Sequence, residues 1–277
     1  MILDDKFTKL KETLGQMERV IIAYSGGVDS TLLLKAASMS GMKDILAVTA
    51  SSESFAPEEL SFAKKMTSAL NINHRIIKTE ELRDKNYVNN PPNRCYYCKK
   101  ELFTKLKNIS IKENFAFILD GTNADDKHDW RPGMQAASET GILSPLLKAG
   151  LGKKEIRDIS RKLELPTWNK PSTPCLASRF PYGQNITAKA LERVNSAENF
   201  IKGFGLKELR VRDHSQTARI EIVPEEFPVL MDKAVRKEIV SFLKTLGYKY
   251  ITLDLQGFRS GSLNELLSED ASEPGNP

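Results

Sequence analysis

The sequence predicts an α/β protein, a doubly wound parallel sheet followed by a small α+β domain. Two observations predict this class. Short apolar, strand-like runs alternate with helix-like segments over residues 1–170, whereas residues 184–267 hold strands and helices in a mixed order. Alternation of strands and helices is typical of a parallel sheet, and binding sites in such sheets lie at the carboxyl ends of the strands.

Hydrophobic periodicity predicts the individual elements. An amphipathic helix over residues 5–18 opens the chain, because apolar side chains recur there at helical spacing. The runs expected as strands are 20–23, 45–50, 74–78, 115–119, 209–212, 218–222 and 250–255. The expected helices between and after them are 31–37, 57–70, 153–163, 188–202 and 228–246. Residues 84–94 are polar and proline-rich, so we expect a loop there.

Composition shifts mark the expected domain boundaries. The first domain covers residues 1–170, and an irregular, proline-containing segment over 171–183 serves as linker and as part of the site. A small α+β domain for substrate binding or oligomerisation covers 184–267. The tail over 268–277 is rich in Ser, Glu, Pro and Gly, so we expect it to be disordered.

The overall composition is that of a globular protein of ordinary polarity. Of 277 residues, 40% are hydrophobic and 28% charged, and no apolar run is long enough to span a membrane. The N-terminus carries acids where a signal peptide would carry basic residues, so we expect a cytoplasmic protein without a membrane partner. A net charge of +5 suits anionic small molecules and is too small by itself to indicate a nucleic-acid partner.

The most informative stretch is the turn Ser25–Ser30, with the sequence SGGVDS, between the strand-like run 20–23 and the helix-like run 31–37. Such a turn exposes backbone N–H groups beside the positive end of a helix dipole, which suits an anion. Glycine lets the backbone approach a phosphate closely. Ser25 and Ser30 add hydroxyl donors, and Asp29 could hold Mg²⁺ or cap the helix.

Two common phosphate motifs are absent, since the chain contains neither GxxxxGK[ST] nor GxGxxG. The alternative is an ordinary strand-to-helix turn with a serine cap. The whole string, however, resembles the PP-loop of the ATP pyrophosphatases, whose fold is like that of the adenine nucleotide alpha hydrolases. The resemblance implies that ATP is split between its α and β phosphates, with pyrophosphate in the loop and an oxygen nucleophile attacking the α-phosphorus.

The predicted ATP-binding residues lie at two strand ends. Asp120–Asn123 follows the strand expected over 115–119. Parallel-sheet topology should bring this turn to the same crevice as Ser25–Ser30, which we call the glycine turn. The residues expected to bind ATP are Ser25, Gly26, Gly27, Asp29, Ser30 and Gly121. Mg²⁺ is the expected metal beside Asp29, and loop amides with Mg²⁺ should stabilise the reaction electrostatically.

Three cysteines form the second informative feature. Cys95 and Cys98 have the CxxC spacing that lets two thiolates reach one metal or cluster, and Cys175 is the third. Three thiolates on a [4Fe–4S] cluster would leave one iron without a protein ligand, and that iron could carry a sulfide. Three alternatives stay open: a Cys₃His zinc site with His128, a redox or persulfide pair with Cys175 as partner, and cysteines without a ligand.

Further strings identify a more specific resemblance, to the LarE family of sulfur transferases, over nearly the whole chain. The strings that carry it are Ser25–Ser30, Leu119–Gly121, Asp129–Gly133, Trp168–Lys170, Ser178–Gly183, Val211–Arg212, Ala218–Glu221 and Gly257–Gly261. SGGVDS alone indicates only the superfamily, and the later strings together are much more specific.

The LarE resemblance implies a concrete reaction in nickel-pincer cofactor biosynthesis. ATP adenylates a carboxylate of pyridinium-3,5-dicarboxylate mononucleotide, and sulfur then replaces oxygen to give a thiocarboxylate. Some members give up the sulfur of one cysteine and are left with dehydroalanine. This chain also carries a CxxC, so it is similar to a three-cysteine branch in which a [4Fe–4S] cluster delivers sulfur from sulfide or another donor. The CxxC therefore favours a multiple-turnover enzyme.

Charged residues complete the predicted site. The resemblance indicates that Ser178, Arg179, Arg210 and Arg212 bind the substrate, and guanidinium groups suit phosphate and carboxylate. Arg210 and Arg212 share one face of a strand, and the alternative is a solvated sheet edge.

Two further residues have roles that stay open. Lys99 is either a catalytic lysine that neutralises phosphate charge or a surface lysine. Glu198 either helps to bind a divalent ion or is an exposed helix glutamate.

Two other functions compete with sulfur transfer to a small molecule. A tRNA-thiolating PP-loop enzyme would have a strongly basic face, which the modest net charge does not favour. A non-catalytic ATP-binding or iron–sulfur sensing protein would bind ATP without releasing AMP and pyrophosphate. A homo-oligomer, with the small domain as interface, is compatible with the sequence.

Overall fold

The structure, a computed structural model, describes residues 2–128, 132–206, 208–259 and 261–265. Parts of two strings that carry the family resemblance, residues 129–131 and Ser260, lie outside the described residues, as does the tail that we expected to be disordered. The chain divides into two compact units, Met1–Thr173 and Pro174–Pro277. The division falls inside residues 171–183, where the composition of the sequence predicts a linker.

The described strands of the first unit form one parallel sheet. They are β1 (Arg19–Ala23), β2 (Asp44–Ser51), β3 (Asn73–Lys78) and β4 (Phe117–Leu119), in the spatial order β3–β2–β1–β4. Chain order reverses between β1 and β4, so the topological switch point lies there, where such sheets bind ligands. The predicted α/β class with a parallel sheet is confirmed.

Helices connect and cover the strands of this unit. They are α1 (Ile2–Gly15), α2 (Val28–Ser38), α3 (Pro57–Ala69), α4 (Lys85–Val88), α5 (Arg94–Glu113), α6 (Pro132–Thr140), α7 (Pro145–Lys148) and α8 (Lys153–Lys162). Short 3₁₀ turns lie at Glu81–Arg83 and Asp125–His128. The helices hide both faces of β1. Val20 and Ile22 pack into one apolar cluster, and Ile21 and Ala23 pack into another on the opposite face.

Strand register brings two turns level at the sheet edge. Ile22 of β1 is in register with Leu119 of β4. The chain leaves β1 after Ala23 and leaves β4 after Leu119, at the same carboxyl edge. The glycine turn and the turn after Asp120 therefore begin side by side.

The second unit is a small α+β domain. Its strands β5 (Leu209–His214) and β6 (Thr217–Ile222) form an antiparallel hairpin, and β7 (Tyr250–Leu253) pairs parallel to β6. Its helices are α9 (Ala188–Lys202), α10 (Phe227–Met231) and α11 (Lys233–Thr245). Short 3₁₀ turns lie at Leu176–Arg179, Pro224–Glu226 and Ser262–Asn264. Apolar residues of α9, α11 and the sheet form one core.

Two sequence expectations about individual elements are wrong. The single helix expected over 228–246 is interrupted at Asp232, whose carboxylate accepts hydrogen bonds from the N–H groups of Ala234 and Val235 and so begins α11. The loop expected over 84–94 contains the short helix α4, which Asp84 begins by accepting the N–H of Asn86. In both cases a local aspartate cap competes with the longer-range pattern.

Within the described residues, no helix combines the length and apolar character needed to cross a membrane.

Candidate functional site

The glycine turn after β1 forms a compact loop that leaves a helix N-terminus open. Ser25 Oγ lies 3.1 Å from Ser30 Oγ and accepts the Gly27 N–H at 3.3 Å. Gly26 has a φ of +74°, which favours glycine. The N-cap of α2 is Gly27, and no side chain caps it, so the serine cap of the alternative interpretation is not formed. The first-turn N–H groups are therefore available to an anion.

One carboxylate oxygen of Asp29 accepts a hydrogen bond from Lys153, and the other accepts none from the described residues. Its Oδ2 accepts the Nζ of Lys153 at 2.5 Å. Its Oδ1 is buried and has no hydrogen-bond partner among the described residues. An unpartnered buried carboxylate oxygen is costly, and a bound cation would satisfy it. The residue therefore fits the predicted role beside Mg²⁺.

Lys153 is a site residue that sequence reasoning missed, because it is 124 positions from Asp29. It is the first residue of α8, and its backbone N–H donates to Asp125 Oδ2 at 2.7 Å. A side chain at Gly152 would come within 2.9 Å of Asp125, so the close approach requires glycine. A lysine that follows glycine at a helix start was the only available signal.

The turn after β4 packs directly on the glycine turn. A Cβ at Gly121 would lie 3.0 Å from the backbone nitrogen of Ser30. Asp120 stabilises the turn by accepting the hydroxyls of Thr122 and Ser144, each at 2.7 Å. The structure thus brings together the two turns that the sequence assigns to ATP binding.

A second lysine, Lys170, lies behind the loop. Its Nζ donates to the carbonyl of Gly26 at 3.1 Å and to Glu59 Oε2 at 2.7 Å. It also lies 3.9 Å from the centre of the Phe62 ring. In the sequence Lys170 belongs to the family string Trp168–Lys170, and no local pattern there predicts a role for it.

A polar network supports the strand end below the loop. Thr49 Oγ1 lies 2.8 Å from both the Tyr24 carbonyl oxygen and His74 Nε2. The rings of Tyr24 and His74 meet edge to face at 6.1 Å. Burial, with a smaller effect of Lys64, lowers the pKa of His74. His74 therefore has a supporting position beneath the loop.

The CxxC pair lies in the first turns of α5. Cys95 is exposed and Cys98 is half-buried, whereas Cys175 is exposed and belongs to the second unit. Lys99 extends its ammonium over the Phe103 ring, 5.4 Å from the ring centre. Thiolates are the usual cluster ligands, but the described residues include no group of three or more His, Cys, Asp or Glu side chains placed to hold a metal. The cluster, the zinc alternative and a catalytic role for Lys99 stay predictions.

Two of the predicted substrate arginines are paired with buried carboxylates in the second unit. Arg179 binds both oxygens of Glu198, at 2.7 and 3.0 Å. Arg212 donates to Glu221 at 2.9 Å. Glu198 also accepts the N–H of Val211 at 3.0 Å. Glu198 is therefore buried rather than an exposed helix glutamate, and a metal would compete with Arg179 for its oxygens.

The third arginine, Arg210, has no carboxylate partner among the described residues. It is 6% exposed, donates to the carbonyl of Arg259 at 3.2 Å and lies 4.3 Å from the centre of the Phe258 ring. Burial and the positive charges of Arg212 and Arg179 lower its pKa to about 10. The solvated sheet edge is excluded for both strand arginines. Within the described part of the chain Arg210 instead forms no direct ion pair, and Glu221 and Glu198 only partly offset the unfavourable effects on its charge, so a bound anion would stabilise it.

Ser178 and Cys175 lie beside these arginines. Ser178 accepts Arg179 Nη1 at its hydroxyl, 2.9 Å away, and Arg212 Nη1 at its carbonyl, 2.7 Å away. Cys175 precedes the 3₁₀ turn, and its carbonyl accepts the Ser178 N–H at 2.9 Å. The second unit therefore groups one exposed thiol with the three predicted substrate arginines.

Comparisons with known proteins place the chain among its relatives. Residues 19–88, which contain the glycine turn, match the family model described as "Queuosine biosynthesis protein QueC". The chain is 38% identical over 272 residues to a protein of Lactiplantibacillus plantarum named pyridinium-3,5-bisthiocarboxylic acid mononucleotide synthase, and the match covers 96% of each chain.

Two uncharacterized proteins also match along their full length. The protein slr1717 of Synechocystis is 42% identical over 268 residues, or 97% of this chain. The protein MJ0830 of Methanocaldococcus jannaschii is 32% identical over 263 residues, or 94% of this chain.

Proposed function

The chain belongs to the LarE family of PP-loop proteins, and we propose that it transfers sulfur to a carboxylate of a pyridinium dicarboxylate mononucleotide in an ATP-dependent reaction. The observation that carries the proposal is the match to the L. plantarum synthase over 96% of both chains. The open helix N-terminus at the glycine turn supports the ATP-dependent step, because such a site suits a polyphosphate. The product would be a precursor of the nickel-pincer cofactor.

The first step is adenylation of the substrate. A carboxylate oxygen attacks the α-phosphorus of ATP, the bond from that phosphorus to the bridging oxygen breaks, and pyrophosphate leaves with the bonding pair. The first-turn N–H groups of α2 and the ammonium of Lys153 stabilise the negative charge of the leaving pyrophosphate. Asp29 would hold Mg²⁺ through its unpartnered Oδ1, and the ion would act as a Lewis acid on the phosphate oxygens.

The second step exchanges oxygen for sulfur without a change of oxidation state. Hydrosulfide attacks the acyl carbon, the bond to the AMP oxygen breaks, and AMP leaves while the sulfur loses its proton. Cys95, Cys98 and Cys175 would hold a [4Fe–4S] cluster that presents this sulfide. In the alternative, one cysteine thiolate displaces AMP, and loss of its α-proton with cleavage of its Cβ–S bond leaves dehydroalanine.

The arginines of the second unit supply an anion site for the substrate. Arg179 and Arg212 each form a direct ion pair with a carboxylate, whereas Arg210 forms none among the described residues and is therefore the arginine best able to pair with a substrate anion. A phosphate or carboxylate at Arg210 would gain a charge-assisted hydrogen bond. We expect Arg210→Met to raise the KM for the mononucleotide on the order of tenfold, and the exposed Arg236→Met to leave it unchanged.

An anaerobic turnover assay tests the proposal. Purified protein would be incubated with ATP, Mg²⁺, sulfide and the pyridinium dicarboxylate mononucleotide, and AMP, pyrophosphate and the product mass would be followed. We expect AMP and pyrophosphate in equal amounts and a product in which sulfur replaces oxygen, with both lost in Asp29→Asn. Binding of ATP without AMP release would instead identify a non-catalytic protein, and thiolation of added tRNA would identify a tRNA enzyme.

A further inference from the structure

We infer that Lys170 is a positioning residue of the ATP site, whose ammonium holds the Gly26–Gly27 peptide so that the Gly27 N–H is directed into the loop. This inference rests on the proposed function, because the ATP-dependent reaction supplies the phosphate that the loop would bind. Lys170 would touch neither the reacting atoms nor the substrate. It would act through the backbone of the loop.

The contacts of Lys170 hold its ammonium group against the carbonyl oxygen of Gly26. Its Nζ lies 3.1 Å from the carbonyl oxygen of Gly26 and 2.7 Å from Glu59 Oε2, and the Phe62 ring faces it at 3.9 Å. The side chain is only 16% exposed. Glu59 and Phe62 are three residues apart on α3, so both contact the lysine from the same helix face. The ammonium is thus held on three sides.

Because the peptide bond is planar, the contact between Lys170 and the Gly26 carbonyl also sets the direction of the Gly27 N–H. In a trans peptide the C=O and the following N–H point in opposite directions. The Gly26 carbonyl points at Lys170, so the Gly27 N–H points away from it, where Ser25 Oγ lies 3.3 Å from the nitrogen. A rotation of this peptide would remove the donor and turn a carbonyl oxygen towards the phosphate.

The loop sequence makes such a rotation easy. Both residues of the peptide are glycine, and glycine populates positive and negative φ with similar ease. A Cβ at Gly26 would meet Ala63 and Phe62 only at ordinary contact distances of 3.5 and 3.6 Å, so Gly26 itself is not crowded on that side. The hydrogen bond from Lys170 is a contact that favours one orientation.

Helix α8 fixes the backbone that carries Lys170. Arg157 donates to the carbonyls of Trp168 and Lys170, each at 2.8 Å. Arg161 lies 5.0 Å from the centre of the Trp168 ring. Because α8 also carries Lys153 to Asp29, one helix positions both lysines at the loop.

Substitution of Lys170 with three readouts tests the inference. Lys170→Met removes the donor, Lys170→Arg keeps a cation that can donate, and Lys154→Met on an exposed position of α8 is the control. For each variant we would measure the dissociation constant of ATP by calorimetry, the KM and kcat of pyrophosphate release, and the melting temperature.

We expect Lys170→Met to weaken ATP binding and raise the KM for ATP on the order of tenfold, with kcat changed much less. Lys170→Arg should recover most of the affinity, and the melting temperature should stay near that of the wild type. Binding of ATP by Lys170→Met at the wild-type level would overturn the inference and leave the proposed function intact. Wild-type protein that binds ATP but forms no thiocarboxylate would overturn the proposed function alone.

A spectroscopic readout covers the case in which Lys170→Met folds poorly. Glu59→Gln keeps Lys170 but weakens the ion pair that holds it. In protein labelled at glycine, we expect the Gly26 carbonyl and Gly27 amide resonances to shift or broaden in Glu59→Gln and not in Lys154→Met. Unchanged resonances would contradict the proposed control of the peptide.

Discussion

Lys153 and Asp29 lie 124 residues apart in the chain, yet the lysine Nζ is 2.5 Å from the aspartate Oδ2. This contact places an ammonium group at the open N-terminus of α2, next to the loop that we expect to bind pyrophosphate. The helix N–H groups and the lysine ammonium, which forms an ion pair with Asp29 in this structure, therefore lie together where a polyphosphate would carry its charge.

The first prediction concerns Lys153. Lys153→Met should lower kcat for pyrophosphate release about a hundredfold, because it removes a cation that stabilises the leaving group. Lys153→Arg should keep a larger share of the rate. Pyrophosphate release would be measured with a coupled enzyme assay, and Lys154→Met, on the exposed neighbouring position, is the control. A wild-type rate in Lys153→Met would show that the contact serves only the ligand-free protein.

The second prediction concerns the contact between the two turns. Gly121→Ala would place a methyl group 3.0 Å from the backbone nitrogen of Ser30 and push against the first turn of α2. We expect a loss of about 1–3 kcal/mol in the free energy of unfolding, together with weaker ATP binding. Urea denaturation and calorimetry would measure the two effects. Loss of stability without any change in ATP affinity would separate this contact from the binding site.

The third prediction concerns the buried ion pair in the second unit. Arg179→Met leaves the carboxylate of Glu198 buried without its partner, which should cost about 3–5 kcal/mol in the free energy of unfolding. Adding Glu198→Gln should restore part of that loss, since the uncompensated charge is then gone. Denaturation of both variants, with the exposed Arg236→Met as control, would measure this. Equal instability of the single and double variants would mean that packing, not charge, is responsible.

The fourth prediction is a pH dependence that arises from His74. Burial lowers the pKa of His74 in the folded state. As the pH falls to the ordinary histidine pKa of about 6.5 and below, the folded protein therefore binds fewer protons than the unfolded chain. Neutral His74 therefore contributes fully to the free energy of unfolding above that pH. This contribution is lost as the pH falls through the lowered pKa of the folded state. His74→Gln should flatten the fall in unfolding free energy between about pH 7 and pH 5. Parallel curves for variant and wild type would contradict this.

The fifth prediction concerns the cysteines. After anaerobic reconstitution with iron and sulfide, the wild type should bind about four irons per chain, and Cys95→Ala, Cys98→Ala and Cys175→Ala should each lose them. Iron and acid-labile sulfide would be measured chemically and the cluster by its absorption. A wild type that binds no iron but loses the mass of hydrogen sulfide after turnover would point to a sacrificial cysteine.

Much of the first unit followed from local patterns. The buried run Val20–Ala23 and the glycine turn after it contain their own structural signals, namely apolar side chains on both strand faces and two adjacent glycines. Strand alternation then predicted that the turn after Asp120 would meet this loop, and Gly121 does lie against Ser30. Local patterns failed at residue 232, where an aspartate cap divides one amphipathic stretch into two helices.

The sequence by itself determined the parallel sheet, the glycine turn after β1 and the family, because strand periodicity, glycine conformation and contiguous motifs are all local properties. Only the tertiary structure decided which lysines lie at the loop and which arginine lacks a direct ion pair in the part of the chain that the structure describes. Lys153 and Lys170 reach the loop from positions far along the chain. Arg210, unlike Arg179 and Arg212, has no carboxylate partner among the described residues. The physical reason is that charge pairing depends on distance in space and on burial, which no local pattern encodes.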